Sequence, residues 1–127
     1  MRLALDTNRY SAVFSGELET LQLLEEAEFV VLPFVVVGEL RAGFVGGKRR
    51  AENELTLRRF LLKPGVDVFF ADDQTTYHYA NLYRQLQAQG TPIPTNDIWI
   101  AAIVLQHDLV LHARDRHFDY LPQLVRV

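Results

Sequence analysis

The chain alternates short apolar runs with longer stretches in which apolar residues recur at helical spacing. The runs RLAL, FVVL, VDVFF and LVLHA predict strands, and the stretches between them predict helices. No hairpin signal joins two neighbouring runs, so helices must link the strands, as is typical of a parallel sheet. The pattern therefore predicts an α/β fold, a three-layer α/β/α domain around a central parallel sheet.

Several helices have predictable ends. One helix runs from Phe34 toward Gly43, and AENELTLRRFLL forms another that stops before a Pro-Gly pair. Asp72 or Asp73 is a plausible N-cap for the long helix that Gly90 ends, and we expect Thr95 to cap the helix NDIWIAAIVLQ. The final residues LVRV are expected to add a short last strand.

Length and composition indicate one globular domain over residues 1–127. A chain of 127 residues can bury one sizeable core, and the apolar stretches are shorter than the ~20 residues that a membrane span requires. An acid at position 6 leaves no room for the apolar part of a secretory signal, so we expect a cytoplasmic protein with no membrane segment. The lack of cysteine excludes disulfides and thiolate metal sites.

The net charge of the chain distinguishes passive binding of nucleic acid from metal-dependent catalysis on it. The net charge of −3 argues against binding through backbone electrostatics alone, because such proteins are usually basic. An enzyme that binds cations through its own carboxylates can nevertheless be acidic and act on phosphates.

Four acids are predicted to meet at one edge of the sheet. Asp6 and Asp115 each follow a strand, Asp97 opens a helix, and Glu39 lies about one turn into another. In a parallel sheet, strands end and connecting helices begin at the same edge, where ligands usually bind.

Taken singly, each acid has a simpler interpretation. Asp6 and Asp97 are favourable at the start of a helix, and Asp115 could cap a turn or pair with a neighbouring arginine. Glu39 is harder to explain, because its neighbours at helical spacing are small or apolar and we expect them to be buried: Val35, Val36, Ala42 and Gly43. A buried carboxylate is costly unless it is paired or bound to a metal.

A divalent cation would resolve the repulsion between four carboxylates. Oxygen ligands suit hard ions, so we expect Mg²⁺ or Mn²⁺. No two of the four histidines have a spacing that indicates a shared metal, and we interpret each as structural or on the surface: His78, His107, His112 and His117.

The segments LDTN, VVVGELRAG and TPIPTNDIWIAAIVLQHDLVLHARDRHF resemble PIN-domain ribonucleases of the VapC toxin type. The resemblance spans almost the whole chain, and TNDIWIAA is its most specific part. It implies a Mg²⁺- or Mn²⁺-dependent endoribonuclease that forms homodimers and is blocked by an antitoxin from a neighbouring gene. It also implies that the first strand is central and that the acids named above form the catalytic and metal-binding cluster: Asp6, Glu39, Asp97 and Asp115.

Asp6 and Asp97 match the most dependable ligands of that family, and Asp115 matches its most variable one. Ala113 stands where the family usually has Thr or Ser, so the hydroxyl that would orient the site there is absent. Seven further residues are candidates for orienting the carboxylates or contacting substrate phosphates: Thr7, Asn8, Arg9, Thr95, Asn96, Arg114 and Arg116. Helix capping is an equally good interpretation of the Thr and Asn residues among them.

Two other classes remain open at this point. A metal-dependent phosphatase or a phosphoacceptor domain also places an Asp after its first strand, but Asn8 stands where a haloacid-type phosphatase would have a second Asp. A PIN-like binding module without catalysis is the other.

Overall fold

Four parallel strands form one sheet in the order β3-β2-β1-β4 in the computed structural model, which describes residues 1–127. The strands are β1 Arg2–Leu5, β2 Phe29–Pro33, β3 Val66–Phe69 and β4 Val110–His112. The helices are α1 Thr7–Phe14, α2 Leu18–Glu26, α3 Phe34–Val45, α4 Arg50–Leu61, α5 Asp73–Gln89 and α6 Thr95–Gln106, followed by a 3-10 helix at Arg116–Tyr120.

The first strand lies inside the sheet, between β2 and β4. Its residues Leu3, Ala4 and Leu5 are completely buried, as expected for a strand that is covered on both faces. The predicted parallel α/β/α architecture is confirmed.

Crossover handedness explains how the helices cover the sheet. From β1 to β3 the chain moves in one direction across the sheet, and from β3 it returns to β4 on the other side of β1. Right-handed crossovers then place α1 to α4 on one face and α5 with α6 on the other. Helices α1, α3 and α6 begin at the edge where strands end; α3 and α6 carry two of the four predicted acids, and a third, Asp6, caps α1.

Some predicted boundaries differ from the structure. The separate helix α1 was not predicted, because the residues that follow β1 are compatible with a turn as well as with a helix. LVRV forms a single bridge, between Leu111 and Arg126, because a turn leaves only the last residues alongside β4.

The residues predicted to cap or end α5 do so, whereas the residue predicted to cap α6 does not. Asp72 does cap α5, accepting a hydrogen bond from the Thr75 amide, and Gly90 ends it with a φ of 69°, a left-handed conformation that glycine adopts without strain. Thr95 does not cap α6. It is the first helical residue, and the carbonyl of Pro94 accepts the amide hydrogen bonds of Asp97 and Ile98 instead.

His112 joins the end of β4 to two other segments. The side chain is completely buried, with Nε2 2.9 Å from the Thr20 hydroxyl and Nδ1 2.8 Å from the carbonyl oxygen of Val127. These contacts agree with a structural role.

None of the helices has the combined length and apolar character that crossing a bilayer requires.

Candidate functional site

The four predicted acids line one pocket at the carboxyl edge of the sheet. The pocket has a volume of about 150 Å³ and contains no lysine or arginine among its lining residues. Its lining consists of Asp6, Thr7, Asn8, Glu39, Asp97, Ile100 and Asp115. Acids that are far apart in the sequence are therefore brought together, as the sheet geometry predicted.

Asp6 both caps a helix and faces the pocket. Its side chain Oδ1 accepts a hydrogen bond from the Arg9 amide at 2.8 Å, which fixes the carboxylate at the start of α1. The residue is only 6% exposed. Burial raises the pKa of Asp6, although the Arg9 amide and the Arg9 charge oppose this effect and Asp115 adds to it.

Asp97 lies in the first turn of α6, where the helix amino terminus favours a negative charge. Burial is the largest cause that raises the pKa of Asp97, and the hydrogen bond from His117 partly offsets it. The charges of Asp115 and Glu39 raise the pKa further. Two acids from other segments thus repel the charge of Asp97.

Glu39 points from α3 toward the first turn of α1. The Thr7 hydroxyl donates a 2.8 Å hydrogen bond to Glu39 Oε1 and holds the carboxylate in place. The expected burial of its helix face is half wrong. Val35 and Val36 are buried, but Glu39 is partly exposed, and the next turn of α3, with Ala42 and Gly43, is exposed.

Asp115 and His117 complete the site from the loop after β4. Asp115 Oδ1 accepts a 2.9 Å hydrogen bond from the His117 amide at the start of the 3-10 helix. The imidazole Nδ1 of His117 lies 2.9 Å from Asp97 Oδ2 and 3.0 Å from Asp115 Oδ1. Sequence reasoning missed this histidine, and the only signal was its position two residues after an acid.

The arginines expected near substrate are not all free. Arg9 is 13% exposed and pairs with Glu17 at 2.6 Å, and Arg114 pairs with Glu17 and Glu19. Neither lines the pocket, because acids on and before α2 hold both guanidinium groups. Arg116 is exposed.

The polar residues of the two predicted capping segments differ in position. Thr7 and Asn8 line the pocket, whereas Thr95 and Asn96 are exposed and do not.

Arg126 holds the loop that carries Asp115 and His117. Its guanidinium Nη2 donates hydrogen bonds to the carbonyl oxygens of Ala113 at 2.8 Å and Asp115 at 3.2 Å, while Nη1 pairs with Asp119. These backbone contacts fix the loop without a side-chain hydroxyl at position 113.

The donor set fits a metal ion. One oxygen from each of Asp97 and Asp115 and one nitrogen of His117 lie within 4.8 Å of one another. Additional carboxylates and no cationic Lys or Arg line the same pocket. A bound cation would offset both the burial and the repulsion that raise the pKa values of Asp6 and Asp97, so this cluster could hold a metal.

The family relationship agrees with this geometry. The PIN domain profile matches residues 3–124. The chain belongs to the PIN domain family. Among solved structures, this PIN domain is similar to VapBC-1 from nontypeable Haemophilus influenzae, with a TM-score of 0.87 and 25% identity over 100% of this chain and 97% of that one.

Curated relatives of the PIN domain include ribonucleases. Ribonuclease VapC1 of Haemophilus influenzae strain R2866 is 32% identical over 82 residues, which are 65% of this chain and 60% of that protein. The match therefore spans less than two thirds of that relative's length. Ribonuclease VapC2 of Rickettsia felis is 26% identical over 106 residues, 83% of this chain and 78% of that protein.

The contacts of Arg126 lead to a stability prediction. Arg126→Ala removes charged hydrogen bonds to two loop carbonyls, and we expect it to lower the free energy of unfolding by about 2 kcal/mol. Urea denaturation measures this value. Arg59→Ala, which makes the same charge change at an exposed residue of α4, is the matched control. Equal stability of the two variants would show that Arg126 does not anchor the loop.

Proposed function

We propose that this protein is a divalent-metal-dependent endoribonuclease, the toxin of a VapBC-type toxin-antitoxin system. One observation carries the proposal: four carboxylates from four separate segments line one small pocket that no lysine or arginine enters. Holding four carboxylates this close together costs folding free energy unless a bound cation offsets their repulsion. The ribonuclease names of its curated relatives support RNA as the substrate.

The expected ion is Mg²⁺ or Mn²⁺, because most of the donors are carboxylate oxygens. Asp6 and Asp97 would hold it, and Glu39 and Asp115 would complete its surroundings or orient the attacking water. When bound, such an ion polarises a phosphate and lowers the pKa of a coordinated water.

The chain itself supplies the positioning. The Arg9 amide orients Asp6, the Thr7 hydroxyl orients Glu39, and the His117 amide orients Asp115. Asn8 lies exposed at the rim, where it can contact substrate. Arg116, exposed beside Asp115, is the best placed of the candidate arginines to contact an RNA phosphate.

The two alternatives account for less of the geometry. A haloacid-type phosphatase would have an Asp in place of Asn8, and a phosphoacceptor domain would have a lysine near its acids, but no lysine lines this pocket. A binding module without catalysis would not require four converging carboxylates. The acids therefore favour a metal-dependent hydrolase over both.

The proposed partners are an antitoxin and a second copy of the chain. Structures of similar fold include VapBC complexes, among them that of Rickettsia felis VapBC2 with a promoter DNA fragment, which has a TM-score of 0.85. Such a complex would operate in the cytoplasm.

An aromatic row supports the homodimer. Trp99 stacks on Tyr79 with ring centroids 4.1 Å apart, and the row continues to Tyr83, which is 51% exposed. Exposed aromatic side chains of this kind are enriched at protein interfaces.

The first test of function is RNA cleavage. Purified protein should cleave mixed cellular RNA when Mg²⁺ or Mn²⁺ is present and should stop when EDTA is added. Because Asp6 and Asp97 would hold the ion directly, we expect Asp6→Asn or Asp97→Asn to lower the rate by at least ~10²-fold.

Asp108→Asn is the matched control for the cleavage assay, since it makes the same change at an exposed residue outside the pocket. Its rate should equal that of the unchanged protein. Cleavage at full rate by either pocket variant would exclude the metal assignment.

A second test examines the toxin role in cells. Production of the chain alone in a bacterium should stop growth, and the product of an adjacent small gene should restore it by occupying the toxin. Growth is followed by optical density, with Asp97→Asn as the inactive control. If growth continues while the cells contain soluble, RNA-cleaving protein, the chain is a nuclease but not a toxin.

A further inference from the structure

His117 is the one nitrogen donor that faces two of the pocket acids. Its Nδ1 lies 2.9 Å from Asp97 Oδ2 and 3.0 Å from Asp115 Oδ1, and the two acids come from different segments. In an octahedral site with ligand bonds of 2.0–2.1 Å, neighbouring donor atoms are about 3.0 Å apart. Nδ1 is thus already at this spacing from each carboxylate oxygen, and all three donor atoms lie within 4.8 Å of one another.

The rest of the imidazole ring is compatible with Nδ1 acting as a metal ligand. In the structure Nδ1 donates to Asp97, and because the side chain is 42% exposed, Nε2 can carry the proton toward water when Nδ1 exchanges this hydrogen bond for a metal ion. The main-chain amide of His117 donates to Asp115 Oδ1, which fixes the backbone that carries the ring. Arg126 holds the same loop through the carbonyl of Asp115.

A nitrogen ligand changes which ion a carboxylate site prefers. Carboxylates suit Mg²⁺ and Mn²⁺ alike, whereas imidazole favours transition metals, with affinity rising from Mn²⁺ toward Ni²⁺. Mg²⁺ gains least from nitrogen, because it is a hard ion that prefers oxygen.

We propose that His117 Nδ1 is a direct ligand in the metal site, together with Asp97 and Asp115, and that it makes the site prefer Mn²⁺ over Mg²⁺. This inference rests on the proposed metal-dependent function. It adds a specificity-determining residue to the four acids.

Calorimetric titration with Mg²⁺, Mn²⁺ and Ni²⁺ tests the preference without measuring activity. His117→Asn keeps an amide group near the position of Nδ1, and so can still hydrogen bond to the acids, but removes the imidazole ligand. We expect the Kd for Mn²⁺ and Ni²⁺ to rise roughly tenfold or more, and the Kd for Mg²⁺ to change less than about threefold. His78→Asn, the same change on α5 outside the pocket, should leave all three values unaltered.

Nuclear magnetic resonance of the ring nitrogens tests ligation directly. With Zn²⁺ bound, the Nδ1 signal of His117 should move to the range of metal-bound nitrogen while Nε2 stays protonated. A protonated Nδ1 in the loaded protein, or an unchanged ratio of Mn²⁺ to Mg²⁺ affinity in His117→Asn, would overturn the inference and leave the metal-dependent nuclease intact. If the unchanged protein binds none of the ions, the proposed function itself fails.

Discussion

Repulsion between carboxylates in one pocket is the constraint on which this structure depends. Two of them, Asp6 and Asp97, are buried enough that their pKa values rise, and Asp115 raises both. The fold holds these charges together by fixing each one separately. A backbone amide holds Asp6, a threonine hydroxyl holds Glu39, and a histidine touches both Asp97 and Asp115. These contacts preorganise the carboxylates for the proposed cation.

The parallel sheet makes the convergence possible. With β1 inside the sheet and β4 beside it, the ends of these strands bring Asp6 and the loop of Asp115 together. Helices α3 and α6 start at the same edge and add Glu39 and Asp97. The Arg126 side chain then fixes the loop after β4 by donating to the carbonyl oxygen of Ala113. The loop is therefore held without a side-chain hydroxyl at position 113.

The sequence was sufficient for the features that depend on chain direction and periodicity. Strand ends and helix starts predicted that Asp6, Asp97 and Asp115 share one edge, and those residues line one pocket. It could not give side-chain directions that depend on contacts between distant segments. Arg9 turns to Glu17 because that acid lies near it only in the folded chain.

His117 and Glu39 show two further limits. A lone histidine gives no spacing pattern, so its approach to Asp97, 20 residues away, could not be inferred. The helix turn after Glu39 is exposed although its residues are small or apolar, because burial depends on which elements pack against it and local apolarity does not reveal this. The metal-binding role of the acids is inferred from their convergence and from family resemblance.

Thermal melting with and without Mn²⁺ tests most directly whether the four acids form one cation site. Burial raises the pKa of the Asp97 carboxyl, so the folded chain binds the carboxyl proton more tightly than the unfolded chain does. Ionisation of Asp97 as the pH rises therefore lowers the free energy of unfolding. At neutral pH, Asp97→Asn should therefore melt higher than the unchanged protein without metal.

The response to Mn²⁺ should have the opposite order. At ten times its Kd, the ion should stabilise the unchanged protein by about 1.4 kcal/mol, or raise its Tm by about 5 °C. Asp97→Asn should gain much less, and Asp108→Asn should behave like the unchanged protein. Equal shifts in all three proteins would show that the ion binds elsewhere and that the four acids are not one site.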